Sequence, residues 1–187
     1  MPEDAPFWKT TPLTQMTRAQ WDSLCDGCGR CCLHKFIYDD APDDVASGLR
    51  YTNVACRLLD LHSGACSRYP TRKRYVPDCQ TLTPEGLVAG EFYWLPPTCG
   101  YRRINEGKDL AWWHPLVSGN PESVHEAGIS IRSRRVISER DAGQLDQHVV
   151  DWPGRTPRVR SAHVSDKSVR SAHASDKPVR APKKDKP

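Results

Sequence analysis

The hydrophobic and polar positions of the first third of the chain predict a short capped helix followed by a β-hairpin. Thr17 and Gln20 have the spacing of a capping box, so a helix should begin there and lead towards Cys25. Residues 33–38 and 48–55 are rich in aromatic and branched side chains, and an acidic, turn-prone link separates them. This pattern predicts two paired strands joined by that link.

Further short helices are predicted in the second half. One should start at Thr83 and run towards residues 92–94, before two consecutive prolines stop it. Another should span Ser138 to Val150, with its apolar positions on one face, before Trp152 closes the domain. Short elements of both types indicate a small, loop-rich α+β fold.

Composition changes this picture because the chain has little apolar material to bury. Hydrophobic residues make up 37% of the 187 residues and the mean hydropathy is −0.67. Such a composition is lean for a domain that is stabilised by apolar burial alone. We therefore expect a single domain over residues 1–153 that is organised by an additional element, such as a bound metal.

The positive charge belongs to the C-terminal segment. Residues 157–187 carry nine Lys or Arg against three Asp, whereas the preceding 156 residues carry 18 basic and 20 acidic side chains. The segment repeats a ten-residue unit, at 159–168 and 169–178, and has no aromatic residue. We predict a basic, disordered tail over residues 154–187. It is either a solvated extension or a weak contact to nucleic acid or an acidic protein, with His163 and His173 as occasional metal ligands.

Eight cysteines are the main candidates for chemistry. The N-terminus is acidic without an apolar signal segment, and no apolar run approaches the roughly 20 residues of a membrane span. We therefore expect a cytoplasmic protein, whose thiols stay reduced unless a metal binds them. Cys31 and Cys32 are adjacent, with Cα atoms about 3.8 Å apart, which is too close for an unstrained disulfide between them.

The cysteine spacing favours a metal centre and leaves two alternatives for the metal. The run Cys25, Cys28, Cys31 has the C-x2-C-x2-C opening of bacterial ferredoxins, but Cys32 follows at once and no proline comes after it. Zinc is the alternative, although zinc ribbons show a second C-x2-C pair. The candidate ligands are Cys25, Cys28, Cys31, Cys32, Cys56, Cys66, Cys79 and Cys99, with His34 and His114 as further candidates that are more often structural.

The eight thiols are compatible with two four-cysteine sites or with one site and ordinary buried cysteines. In the first arrangement Cys31 and Cys32 would point to different sites. Between Cys66 and Cys79 lie four basic residues, which would favour thiolate over thiol. No phosphate-binding loop, zinc-protease motif or nucleophile elbow is present in the sequence.

Several segments resemble the bacterial CxxCxxCC cysteine-cluster family, in its YcgN-like branch. The segments are residues 24–33, 51–60, 75–79, 94–102 and 113–119, and the likeness covers about residues 7–153. The resemblance implies chelation of zinc or iron by the cysteines, including the four distant ones, without assigning a biochemical role. Some larger relatives are linked to protein lysine methylation and iron–sulfur clusters, and this chain lacks the additional length.

Three functions follow as hypotheses. The first is a metal-binding protein that holds zinc or an iron–sulfur cluster. The second is an iron–sulfur enzyme or enzyme accessory, with Arg102, Arg103 and residues 112–114 lining a pocket. The third is a nucleic-acid or protein adaptor in which the metal is structural and the tail makes the contact.

Overall fold

The computed structural model of the chain describes residues 5–38 and 48–156, and it confirms an α+β fold of short elements. The α-helices are α1 Phe7–Thr10, α2 Arg18–Ser23, α3 Pro84–Val88, α4 Gly100–Asn105, α5 Pro115–Ser118 and α6 Ser123–Glu126. Short 3₁₀ helices span Leu13–Gln15, Arg30–Cys32, Tyr69–Arg74, Ile131–Ser133, Leu145–His148 and Trp152–Gly154. Within the described ranges, no helix has the length and apolar character needed to cross a bilayer.

The predicted capping box is confirmed at the start of α2. The Thr17 hydroxyl accepts a hydrogen bond from the Gln20 backbone N–H at 3.2 Å, and the Gln20 side chain accepts one from the Thr17 N–H at 2.9 Å. Two of the free backbone donors of the first turn are thereby satisfied. The helix ends at Ser23, and Leu24 brings the chain directly to the first cysteine.

The predicted hairpin is also confirmed and forms most of the only sheet found in the described residues. Strand β1 (Leu33–Ile37) pairs antiparallel with β2 (Leu49–Ala55), and Leu33 lies opposite Ala55. The acidic link between the two strands falls on residues 39–47, outside the described part of the chain. A short strand β3 (Ile137–Ser138) adds to β2 in parallel orientation.

The predicted helix over residues 138–150 is wrong. The chain there continues from β3 into turns, and Val149 forms a bridge with Thr52 of β2 while the Val150 N–H donates to the Tyr51 carbonyl. Gly143 has a φ of +65°, a conformation that ends any regular helix at that point. Backbone pairing therefore holds this segment beside β2, although Val149 itself is exposed and Leu145 and Val150 are only half-buried.

The helix predicted from Thr83 is confirmed at its start and shorter than expected. Thr83 caps α3 by accepting a hydrogen bond from the Gly86 N–H, but the helix ends at Val88. Residues 89–95 turn instead, which buries Phe92 and Leu95 in the core.

Apolar side chains form three small clusters in place of one large core. The first contains Trp21, Leu24, Leu87, Phe92, Leu95, Tyr101 and Leu110. The second contains Cys28, Ala111, Trp113, Val124 and Ile129, and the third Leu33, Ala55, Leu59 and Ile131. This division agrees with the lean hydrophobic composition of the sequence.

The predicted boundary at residue 153 and the tail beyond it stay predictions. Gly154 is the last residue of a 3₁₀ turn, and residues 155 and 156 follow it in extended or irregular conformation. The repeat, with His163 and His173, lies outside the described residues.

Candidate metal centre

All eight cysteines line one open cavity of about 840 Å³. Each of them is a free thiol. The cavity brings the clustered cysteines of residues 25–32 together with the four distant ones, which sequence spacing alone could not place. That every one of them is a ligand stays a prediction.

The clustered cysteines lie where the three apolar clusters meet. Cys28 belongs to the second cluster, Cys31 packs against the first, and Cys32 packs against the third. The Asp26 carboxylate accepts the Cys28 N–H at 3.1 Å, and the Cys28 carbonyl accepts the Ile131 N–H at 2.9 Å. The loop is therefore held in place by its own turn and by contacts to distant segments.

The distant cysteines reach the cavity by backbone pairing. The Cys56 N–H donates to the Cys32 carbonyl at 3.0 Å, directly beyond the paired ends of β1 and β2. A turn after Leu59 returns the chain so that Cys66 forms an antiparallel bridge with it. Cys99 precedes α4 and adjoins the loop through its neighbour, Gly100.

Gly100 contacts the backbone of the cysteine loop. A Cβ atom on Gly100 would lie 2.1 Å from the Leu24 carbonyl oxygen, so no other residue fits there without displacing the main chain. The contact places residues 99–100 directly beside residues 24–25. Sequence reasoning did not single out this glycine.

Burial raises the pKa of several thiols in the cavity. It raises the pKa of Cys25 to about 12, although solvent still reaches that residue, and raises the pKa of Cys28, Cys56 and Cys99. The negative charge of Asp26 raises the pKa of Cys28 further. Thiols in this setting are neutral without a cation, and a metal ion would displace their protons on binding.

Cys31 and Cys32 form a thiol pair with a half-buried lysine, Lys35, beside them. Their Sγ atoms are 4.0 Å apart, and the hydrogen bond from Cys32 lowers the pKa of Cys31 while it raises that of Cys32. The Lys35 ammonium donates to the Cys31 carbonyl at 2.9 Å and to the Leu33 carbonyl at 2.6 Å, and it lies 4.9 Å from the Trp94 ring centre. Its positive charge also lowers the pKa of Cys31.

Asp26 has one carboxylate oxygen with no partner. The residue is 6% exposed and lines the cavity, and its Oδ2 atom makes no hydrogen bond. A buried carboxylate oxygen without a partner is costly, and a cation in the cavity would compensate it. The cysteine spacing in the sequence did not point to Asp26 or Lys35 as part of the site.

The donor set fits a soft metal, but its final geometry is not formed. Thiolates are the preferred ligands of zinc and of iron–sulfur clusters. Across residues 5–38 and 48–156, no three Cys, His, Asp or Glu side chains converge closely enough to hold an ion. The structure nevertheless brings eight thiols to one cavity.

The two candidate histidines make protein contacts. His114 is buried, its Nδ1 accepts the Leu116 N–H at 3.2 Å, and its Nε2 lies 3.1 Å from the Leu24 carbonyl. Both ring nitrogens are used, so His114 has a structural role. His34 lines the cavity, but its Nε2 pairs with Glu139 at 2.5 Å.

The residues that the enzyme hypothesis assigned to a substrate pocket lie outside the cysteine cavity. None of Arg102, Arg103 and residues 112–114, all within the described part of the chain, lines the cysteine cavity. Arg102 donates to the Leu95 carbonyl and pairs with Glu106, and Trp113 is part of the second apolar cluster. A substrate pocket at these positions therefore has no support from the cavity.

These features define a class: a small α+β protein built around a thiol-lined cavity. A family model with the description "CxxCxxCC: Putative zinc- or iron-chelating domain" matches residues 24–100, the segment that contains all eight cysteines. No solved structure matches the chain significantly.

The curated relatives give the family. A UPF0260 protein of Granulibacter bethesdensis is 59% identical over 160 residues, which cover 86% of this chain and 92% of the relative. A UPF0260 protein of Gluconacetobacter diazotrophicus is 56% identical over 164 residues, which cover 88% of this chain and 98% of the relative. A UPF0260 protein of Rhizobium etli is 56% identical over 151 residues, which cover 80% of this chain and 91% of the relative. The chain belongs to the UPF0260 family, and the predicted resemblance to the cysteine-cluster family is confirmed.

Proposed function

We propose that this protein binds metal, either zinc or an iron–sulfur cluster, on cysteine thiolates in the cavity. The observation that carries the proposal is the convergence of all eight cysteines on one cavity. The description of the matching domain as zinc- or iron-chelating supports the same function. Bound zinc would organise the surrounding segments, and an iron–sulfur cluster would in addition supply an electron-transfer site.

The charges around the cavity suit a thiolate-bound metal. Four thiolates around a divalent ion leave a net negative charge, and burying such a charge is costly unless a cation lies nearby. Lys35 provides a half-buried ammonium at the Cys31–Cys32 pair, and Arg18 and Arg72 also line the cavity. We also infer a reducing, cytoplasmic location, because free thiols persist there.

Elemental analysis of the anaerobically purified full-length chain tests the proposal. We expect zinc, or iron with acid-labile sulfide, and in the second case visible charge-transfer absorption. The double variant Cys31→Ser/Cys32→Ser, which changes both of the adjacent thiols, should lose most of the metal. Ser23→Ala is the matched control, because its hydroxyl only donates to the Gln20 carbonyl outside the cavity, and it should keep the metal.

A colourless protein with eight titratable thiols and neither zinc nor iron would overturn the proposal. Contact of the tail with nucleic acid or an acidic protein stays a prediction, because the repeated segment lies outside the described residues.

A further inference from the structure

Cys31 and Cys32 lie at a boundary between two parts of the cavity wall. They are consecutive residues of one 3₁₀ turn, yet Cys31 packs against the first apolar cluster and Cys32 against the third. Cys99 also packs against the first cluster, and the third cluster contains Leu59, which pairs with Cys66. The two neighbouring thiols are therefore each associated with a different group of cysteines.

The first group surrounds Cys31. Cys99 packs against the same apolar cluster as Cys31, and the close approach of Gly100 to Leu24 places Cys99 beside Cys25. Cys28 belongs to the same loop as Cys25, in a turn fixed by the Asp26 carboxylate.

The second group surrounds Cys32. Cys56 is joined to Cys32 by a backbone hydrogen bond of 3.0 Å, and the Leu59 N–H donates to the Cys56 carbonyl at 2.9 Å. Cys66 is reached through its bridge with Leu59.

Cys79 completes the second group. The Arg57 side chain donates to the Tyr75 carbonyl, and the Cys79 N–H donates to the Val76 carbonyl at 3.1 Å, so the segment that carries Cys79 lies against the chain that follows Cys56.

We propose that the cavity holds two separate four-cysteine metal centres, one on Cys25, Cys28, Cys31 and Cys99 and the other on Cys32, Cys56, Cys66 and Cys79. The inference rests on the proposed function and adds the number of centres and the ligands of each. A tetrahedral zinc ion and a cubane cluster each use four thiolates, so eight cysteines match two such centres.

Charge at the boundary supports the division. Two four-thiolate centres on adjacent residues would repel each other unless a cation lies between them. Lys35 donates to the carbonyls of Cys31 and Leu33, which flank Cys32, and its charge acts on both thiols of the pair. The unpartnered Asp26 oxygen lies in the loop of the first group, where its negative charge would be stabilised by a nearby cation.

Titration of the full-length chain with Co²⁺ tests the assignment. Metal is first removed by chelation under anaerobic, reducing conditions, and the thiolate-to-cobalt charge-transfer and d–d absorptions are followed. We expect an end point of two ions per chain with the spectrum of tetrahedral thiolate sites. Cys99→Ser should remove the first centre only, and Cys79→Ser the second only, so each variant should bind one ion.

Cys25→Ser and Cys66→Ser form a second pair with the same expected division, and the double variant Cys99→Ser/Cys79→Ser should bind none. Circular dichroism identifies any variant that fails to fold, and a retained ion is itself a sign of folding. A wild-type end point at one ion, or loss of both ions in a folded single variant, overturns the two-centre assignment and leaves the proposed function standing. If the wild type takes up no Co²⁺ and also purifies without zinc, iron or sulfide, both proposals fail.

Discussion

At the scale of single residues, the cavity depends on two positions that carry no metal ligand. Gly100 allows two backbone segments to touch, and Lys35 supplies positive charge beside two thiols. Both are ordinary residues in the sequence, one at the start of a helix and the other within a strand. Their roles can be separated from those of the cysteines by substitution.

We expect Gly100→Ala to weaken metal binding. The added methyl group would meet the Leu24 carbonyl oxygen at 2.1 Å and separate Cys99 from Cys25, with a loss of about 1–3 kcal/mol in folding free energy. Gly107→Ala is the control, because its added methyl group would meet no atom within 4 Å. Residue 107 has a φ of +69°, so this variant should also lose about 1–2 kcal/mol of folding free energy, but it should keep the metal. Equal metal retention in a chelator competition would contradict the role of Gly100.

Lys35→Met should reduce metal affinity by roughly 10- to 100-fold, the range seen for residues that support metal ligands. Methionine keeps much of the length and apolar character but removes the ammonium beside Cys31 and Cys32. Lys35→Arg keeps the charge and should retain more of the affinity. Competition with a chromogenic chelator measures both variants, and the same affinity in Met and Arg variants would show that the charge is unimportant.

At the scale of elements, His114 connects α5 to the end of α2. Its Nδ1 caps α5 by accepting the Leu116 N–H, so the proton resides on Nε2 and is donated to the Leu24 carbonyl. Burial lowers the pKa of His114 below its usual 6.5. Protonation would convert the acceptor of the cap into a donor.

Acid should therefore destabilise the fold through His114. Between its lowered folded pKa and 6.5 the unfolded state binds more protons, so the free energy of unfolding rises with pH in that window and falls on acidification. One proton gives a slope of at most about 1.4 kcal/mol per pH unit. Denaturant unfolding at several pH values should show a shallower dependence for His114→Asn, which keeps the cap but does not titrate. Parallel curves for the two proteins would refute this.

At the scale of the whole molecule, Arg30 ties the cysteine loop to distant parts of the chain. It is 1% exposed, donates from Nε to the Ile129 carbonyl at 2.5 Å, and donates from Nη1 to Thr98 Oγ1 and to the carbonyls of Pro153 and Arg155 at 3.3 Å. Burial lowers its pKa, although it remains a cation. One side chain in the ligand loop thus organises three separate segments.

Arg30→Ala should lower the free energy of unfolding by about 3 kcal/mol, because it leaves several buried acceptors without a donor. Arg103→Ala removes a more exposed hydrogen bond, from Nε to the Asp109 carbonyl, and should cost no more than about 1 kcal/mol. Urea denaturation of both variants measures the difference. Similar losses would mean that the buried network of Arg30 is not important for stability.

Metal removal should destabilise the whole domain, because the three apolar clusters meet around the cysteine loop. A ligand at 100 times its Kd stabilises the native state by about 2.7 kcal/mol, or on the order of 5–10 °C in Tm for a domain of this size. We expect a chelator to lower Tm by such an amount and Zn²⁺ or cluster reconstitution to restore it. Mg²⁺ is the control: because it prefers oxygen ligands, adding it should not restore Tm. An unchanged Tm after verified metal loss would contradict this.

Features that depend on neighbours along the chain were predictable from the sequence. The capping box of Thr17 and Gln20 and the pairing of β1 with β2 involve residues close in sequence, so local pattern was enough. The helix over 138–150 was predicted wrongly, because the backbone of Val149 and Val150 pairs with β2, and residue spacing does not reveal such a distant partner.

The sequence by itself determined the family, the clustered cysteines and the expectation of a metal, because ligand types and their short spacing are written directly in the chain. Only the tertiary structure decided that Cys56, Cys66, Cys79 and Cys99 meet that cluster in one cavity. It also places the buried Asp26 and the half-buried Lys35 beside the cluster. Their positions depend on backbone contacts between segments far apart in sequence, such as the approach of Gly100 to Leu24. Local spacing contains no record of such contacts.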